Sequence, residues 1–155
     1  LMALDVTTKE VNIRGSIQKY FIDSLETTEG KNVIVSADLE SVRNLTEWIH
    51  LNFMDRNDGN KLLYELQLVP ATREDDEGYN LAALEDLIDK YIYAADGGNR
   101  AISFYDISNL AALVEIGKIH LRSGTRSPVI TAADDRTKFR IIRIQAHMSV
   151  KLVTN

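Results

Sequence analysis

From Ile142 onward the chain places an apolar residue at every second position. Ile142, Ile144, Ala146, Met148, Val150 and Leu152 alternate with Arg143, Gln145, His147, Ser149 and Lys151. Strict alternation is the period of a β-strand that buries one face and wets the other. A slip of one residue would turn the whole apolar set into water, so a strand of this length fixes its own register. The stretch from Phe139 to Leu152 therefore predicts a long sheet strand on which the earlier elements pack.

Two upstream stretches carry helical spacing instead. Thr7-Thr8-Lys9-Glu10 has the spacing of a capping box, and Ile13, Ile17, Tyr20, Phe21 and Leu25 follow it on one helical face, which predicts an amphipathic helix from about Thr8 to about Leu25. Gly15 within it either costs about 1 kcal/mol relative to alanine or marks close packing. Gly30 is the expected turn after it. Asn80 reads as the N-cap of a second helix with the stripe Leu81, Leu84, Leu87, Ile88, Tyr91 and Ile92, ending near Ala95 ahead of Gly97-Gly98.

The remaining apolar runs read as strands. Val33, Ile34 and Val35 form a short β-branched run. Thr46 to Met54, with Ile49, Leu51 and Phe53 on its buried face, and Lys61 to Val69, with Leu62, Tyr64, Leu66 and Leu68 alternating, flank the hairpin signal Asp58-Gly59. Pro70 is expected to stop the second strand, and Arg73 to Gly78 to be a solvated acidic connection. Ala101 to Ile107 reads as a strand. Leu110 to Leu121 reads either as opening with a helical turn at Leu110 to Leu113 or as a strand interrupted at Gly117. Arg122 to Lys138 has few core residues beyond Val129 and Ile130, so it reads as a long connection, and connections of that length are usually functional or mobile.

This order predicts one α+β domain over residues 1–155: a mainly antiparallel or mixed sheet, two amphipathic helices packed on one face, and a projecting β-hairpin. A doubly wound parallel fold fits poorly, because Asp58-Gly59 joins its strands directly. With 45% apolar and 26% charged residues the chain buries a core without staples. It has no cysteine, which removes disulfides, thiolate nucleophiles and cysteine zinc sites. A net charge of -5 argues against a dominant phosphate-binding face. Leu1 to Val6 carries neither a basic leader nor an apolar run, so no signal peptide or membrane span is expected there.

Few groups of residues carry chemistry. The acidic run Glu74, Asp75, Asp76 and Glu77 has the charge for a divalent cation but lacks the alternating spacing and placed glycine of a calcium loop, so a solvated connection is the better reading. Asp134-Asp135 reads the same way. Asp55 followed by Glu65 and Gln67 on the next strand is similar to the metal-binding arrangement of restriction-type nucleases, in which carboxylates hold a metal that activates water. Here Met54 stands where that pattern has proline, and Gln67 where it has lysine. A nuclease would show metal-dependent DNA cleavage that is lost in Asp55→Ala. His50, His120 and His147 each fall alone in a strand and read as half-buried histidines. Trp48, Tyr20, Tyr64 and Tyr91 read as core rather than as a ligand pocket. Arg122, Arg126, Arg136 and Lys138 make the long connection a basic arm suited to reaching a neighbouring subunit.

The helix Thr8 to Leu25, the hairpin strands Trp48 to Val69, the helix Asn80 to Ala95 and the closing strand Phe139 to Leu152 together resemble, in order and length, the tail terminator proteins of long-tailed bacteriophages, the family of the lambda minor tail protein U. The resemblance implies a small α+β subunit without an active site or cofactor. Such subunits form a hexameric ring at the head-proximal end of the tail tube, stop its polymerisation and meet the neck or head-completion proteins. It places the protein in the virion, assembled in the bacterial cytoplasm, with no membrane contact and no sequence-specific nucleic-acid binding. A neighbouring neck or head-closure connector fits the same element order. The surfaces expected to meet another subunit or a partner are the hairpin tip (Asp55, Arg56, Asn57, Asp58), the acidic connection (Glu74, Asp75, Asp76, Glu77) and the basic arm (Arg122, Arg126, Arg136, Lys138). The acidic connection is expected to meet the basic arm of the next subunit.

Overall fold

The structure, a computed structural model, describes residues 2–5, 7–35, 42–58 and 61–153, the side chains of 2–4, 61 and 149–153 excepted. Its elements are β1 (Met2–Asp5), α1 (Lys9–Phe21), which continues as π-helical turns over Ile22–Thr28, β2 (Val33–Ile34), β3 (Glu47–Asp58), β4 (Lys61–Thr72), α2 (Tyr79–Ile92), β5 (Arg100–Asp106), β6 (Val114–Arg126), β7 (Ile130–Thr131), β8 (Lys138–Phe139) and β9 (Ile142–Val153). The sheet runs β2-β3-β4-β9-β6-β5. It is mixed, because β2 lies parallel to β3 and β1 parallel to the end of β9, while the other pairs are antiparallel.

β9 lies at the centre, as its alternation requires. It pairs with β4 from Ser149 to Ile142 and with β6 from His147 to Ile142. Ile142, Ile144, Ala146 and Met148 are all buried, and they join Leu62, Tyr64, Leu66 and Leu68 of β4 in one core that also takes in both helices. The fold is therefore α+β with both helices on one face of the sheet. Inner residues of α1 also seal the free edge of β5. Ser16 Oγ accepts from Tyr105 N–H at 2.8 Å and Asn12 Oδ1 from Ile107 N–H at 3.1 Å, which blunts an edge that would otherwise template further strands. Gly15 marks close packing there, since a Cβ would sit 2.3 Å from Ile107 Cδ1.

Several local expectations are corrected. The capping box does not form: Thr7, which that spacing makes the cap, turns its hydroxyl back to Asp5 Oδ1, Thr8 as N-cap makes no side-chain cap, and Glu10 turns instead to Tyr64, Arg14 and Arg56. The helix passes Leu25 by three residues in wide turns, where Ser24 Oγ and Thr28 Oγ1 donate to the carbonyls of Tyr20 and Asp23, the back-bonding that distorts helices. Pro70 does not stop β4. Ile49 N–H donates to Asn32 O just ahead of β2, so the Ile49–Pro70 pair is of the non-hydrogen-bonded type and no ladder donor toward β3 is lost. The strand runs on through Gly117, with a bulge at Ile116 that shifts its register against β5, and Arg122 to Arg126 belong to it rather than to a loop. β7 and β8 order most of what remained.

The second helix starts and stops earlier than expected. Gly78 rather than Asn80 is its N-cap, and it ends at Ile92 rather than near Ala95 because Tyr93 is already extended. Asp75 supplies the cap from three residues upstream: its carboxylate accepts from Leu81 N–H at 2.9 Å, Asn80 N–H at 3.2 Å and Thr72 Oγ1 at 2.9 Å. It is buried, so it is not part of a solvated run. Burial works to raise its pKa, and the hydrogen bonds from Leu81, Asn80 and Thr72 outweigh that, so the carboxyl titrates below its ordinary 3.8. A carboxyl with a depressed folded-state pKa stabilises the fold above its unfolded value, and that stabilisation is lost as pH falls through the folded one. Asp75→Ala is accordingly expected to cost about 1–2 kcal/mol at neutral pH in urea denaturation, with the gap to the parent closing below pH 3.8.

Candidate functional site

Opposite the helices, the sheet has a second face, covered only in part. Val42, Trp48 and Ala71 form a small cluster there, joined by Ile34, Leu45 and Phe139. The Arg73 guanidinium lies 4.7 Å over the Trp48 ring and donates to the carbonyls of Val42, Arg43 and Leu45. The rest of this face is open.

Two β-bulges shape the open part. On β3 the register shifts between Phe53 and Arg56, so Met54 and Asp55 together oppose Glu65. On β6 it shifts between Ser123 and Arg126, so Gly124 and Thr125 together oppose Arg143. Gly124 lets the strands approach closely at that point, since a Cβ would meet Arg143 O at 3.2 Å. Bulges bend their strands and re-aim the residues beyond them. Beyond each bulge an arginine turns inward to a helix: Arg56 to Glu10 of α1, and Arg126 to Glu85 and Asp89 of α2.

Between the bulges lies a groove of about 760 Å³ floored by β4 and β9. Asp55 and Glu65 stand on its β3–β4 side, and Arg122 and Arg143 on its β6–β9 side, with Gln67 and Gln145 between them. Glu65 and Arg122 both flank Gln145 across the ladder, which sets their backbones roughly 10 Å apart at the spacing of neighbouring strands. Among the described residues no ion pair joins the two walls. Arg143 donates to Thr125 Oγ1 at 3.2 Å, whereas Arg122, Asp55 and Glu65 make no side-chain hydrogen bond or ion pair in the structure. Among the described residues, Arg122 and Arg136 are the arginines without such a partner. The groove can recognise charge, but it aligns no nucleophile with a base.

Asp55, Glu65, Gln67 and Arg122 thus meet in one groove. Arg143 and Gln145, which complete it, were not singled out in the sequence because they occupy ordinary outward positions of β9. The other expected contact residues are placed elsewhere. Arg56 and Asp58 bond each other, and Asp58 also pairs with Lys9 of α1 at 3.3 Å. Asn57 also has its partners within the chain. The hairpin strands are paired in the sheet and tied to α1 up to Asp58, and the expected turn residue Gly59 lies outside the described residues. Arg126 is an internal ion-pair residue rather than part of an arm. Lys138 sits on β8 opposite Thr72, where its charge acts on Asp75 of the same chain. Glu74, Asp76, Glu77 and Arg136 are exposed.

The four aromatic residues do not share one pocket, although Tyr20 and Tyr91 line a cleft together. Tyr64 is core, Trp48 is on the opposite face, and Tyr20 and Tyr91 meet edge to face beside α1. His120 and His147, isolated in sequence, stack at 5.4 Å across β6 and β9. Among the described residues no group of three or more His, Asp or Glu side chains could hold a metal ion, and no helix is long and apolar enough to cross a membrane. No protein-family model matches the chain. No curated protein matches it either.

Proposed function

We propose that this chain is a structural virion protein, a tail terminator subunit that closes into a hexameric ring on the head-proximal end of a phage tail tube, ends the tube's growth and joins it to the neck. The observation that carries the reading is the open groove, whose two walls bear opposite and unpartnered charge. Such a surface is satisfied by a partner that brings both signs. Ring closure needs two different complementary patches on each subunit, and confining both helices to one face leaves the other available for one of them. The family likeness in element order supplies the tube and neck as the remaining partners. A neck or head-closure connector would use the same groove in the same way.

The test is the mass of the protein in solution across concentration and salt. A closed oligomer is expected, present at low salt and dissociating as screening weakens the ionic contacts. Arg122→Glu, which cancels the positive charge of the β6–β9 wall by setting an acid beside Arg143, is expected to lower the association constant at least tenfold while leaving the thermal midpoint unchanged, since Arg122 supports nothing within the chain.

A further inference from the structure

The two arginines without a partner stand at opposite ends of one possible contact. Arg122 is in the groove, and Arg136 is on the turn that joins β7 to β8. That turn is tightly closed. Ala132 N–H donates to Thr137 O at 2.8 Å, Arg136 N–H to Ala132 O at 3.0 Å, and Thr137 N–H to Asp135 Oδ1 at 3.0 Å. Asp135 is tied in turn to Arg73 at 3.4 Å. Asp134 and Arg136, on either side of it, are exposed and make no side-chain hydrogen bond or ion pair.

Arg136 holds φ at +59°, and Glu74, on the loop beside it, holds φ at +55°. These are the only non-glycine residues with positive φ among the described residues. Residues other than glycine are uncommon in that region, and surrounding structure must impose it, as it does at clamps and contact points. A rigid turn that presents one free acid and one free base loses little freedom on binding.

We infer that the Asp134–Arg136 turn of one copy of this chain seats in the groove of the next, with Asp134 against the Arg122–Arg143 wall and Arg136 against the Asp55–Glu65 wall. The inference rests on the ring reading and names its contact. The turn cannot fill its own groove. It is anchored where Lys138 pairs with Thr72, and from Thr72 back to Glu65 the strand runs roughly 23 Å. A contact between two different patches on identical chains is heterologous, and it generates a ring when the rotation closes. The pairing is also directional, since reversing the turn would set like charges together.

The parent chain has no cysteine, so introduced thiols report only on the chosen positions. Ala133→Cys, on the same turn but outside the charged pair, and Gln145→Cys, both at exposed sites, are prepared separately, mixed and treated with a short bismaleimide cross-linker, with light scattering on the unmodified protein in parallel. The expected product is the mixed dimer, in at least tenfold excess over either homodimer. The double variant is expected to give a ladder that stops at one closed size. Homodimers of either single variant as the main product would overturn the contact. An oligomeric parent that gives no mixed product would overturn the contact and leave the ring reading standing. A monomeric parent with no mixed product would overturn both.

Discussion

Glu85→Ala is expected to destabilise the protein by about 3 kcal/mol, a large fraction of the roughly 5–15 kcal/mol that holds a domain of this size. Glu85 projects from α2 with its side chain 10% exposed, and it accepts from Arg126 Nη1 and Arg140 Nη1, both at 3.2 Å. Arg126 has a second partner in Asp89. Burial works to lower the Arg126 pKa, yet the bonds to Asp89 and Glu85 hold it above its ordinary value. Removing Glu85 leaves Arg140 without its carboxylate and Arg126 with half of its neutralisation, in a place where water reaches poorly. The cluster fastens α2 to β6 at the bulge and to the bend between β8 and β9. Urea denaturation of Glu85→Ala and Glu85→Gln measures the effect, with the amide expected to lose less because it keeps the shape and an acceptor oxygen. A loss below about 0.5 kcal/mol in the alanine variant would place these charges with ordinary surface pairs.

Tyr64→Ala is expected to cost still more, about 4 kcal/mol. Tyr64 is among the largest fully buried side chains and is the fourth of the twelve residues of β4. Its ring meets Phe53 edge to face at 5.8 Å. Its hydroxyl donates to Glu10 Oε1 at 2.8 Å and accepts from Arg14 Nε at 3.0 Å. Glu10 feels burial first, which would raise its pKa, but the hydrogen bonds from Tyr64, Arg14 and Arg56 outweigh it and the carboxyl titrates below its ordinary value. Truncation removes the ring from the core and the hydroxyl from that network together. Tyr64→Phe separates the two: it keeps the ring and is expected to lose only about 1 kcal/mol. Thermal unfolding of both variants would show the difference, and equal losses would mean that the ring contributes little.

How much of this was readable in the chain depends on how local each cause is. The alternations of β4 and β9 set register and inner face correctly, because period and burial are the same fact in a strand. The apolar stripe of α2 was equally plain, but its cap was not. Asp75 lies in a run of four acids, and nothing in that run tells the one that bends back onto the helix from those that face water. Arg126 was misplaced for a similar reason. Alternation along β6 is broken by the bulge at Gly124-Thr125, so the arginine beyond it turns inward, and only the pairing of β6 with β9 reveals that shift. The groove is still less local. Asp55 and Glu65 were noticed as a pair on one hairpin, but their companions Arg122, Arg143 and Gln145 join them through the order β4-β9-β6, which brings together segments that no short pattern links.

The proposed role makes this chain one subunit of a closed assembly. The most direct measurement is its mass by light scattering over a wide concentration range, at low and at high salt. A single closed oligomer is expected, a hexamer under the family likeness, falling to monomer at high salt and weakened in Arg122→Glu. A strict monomer at every concentration in low salt would contradict it.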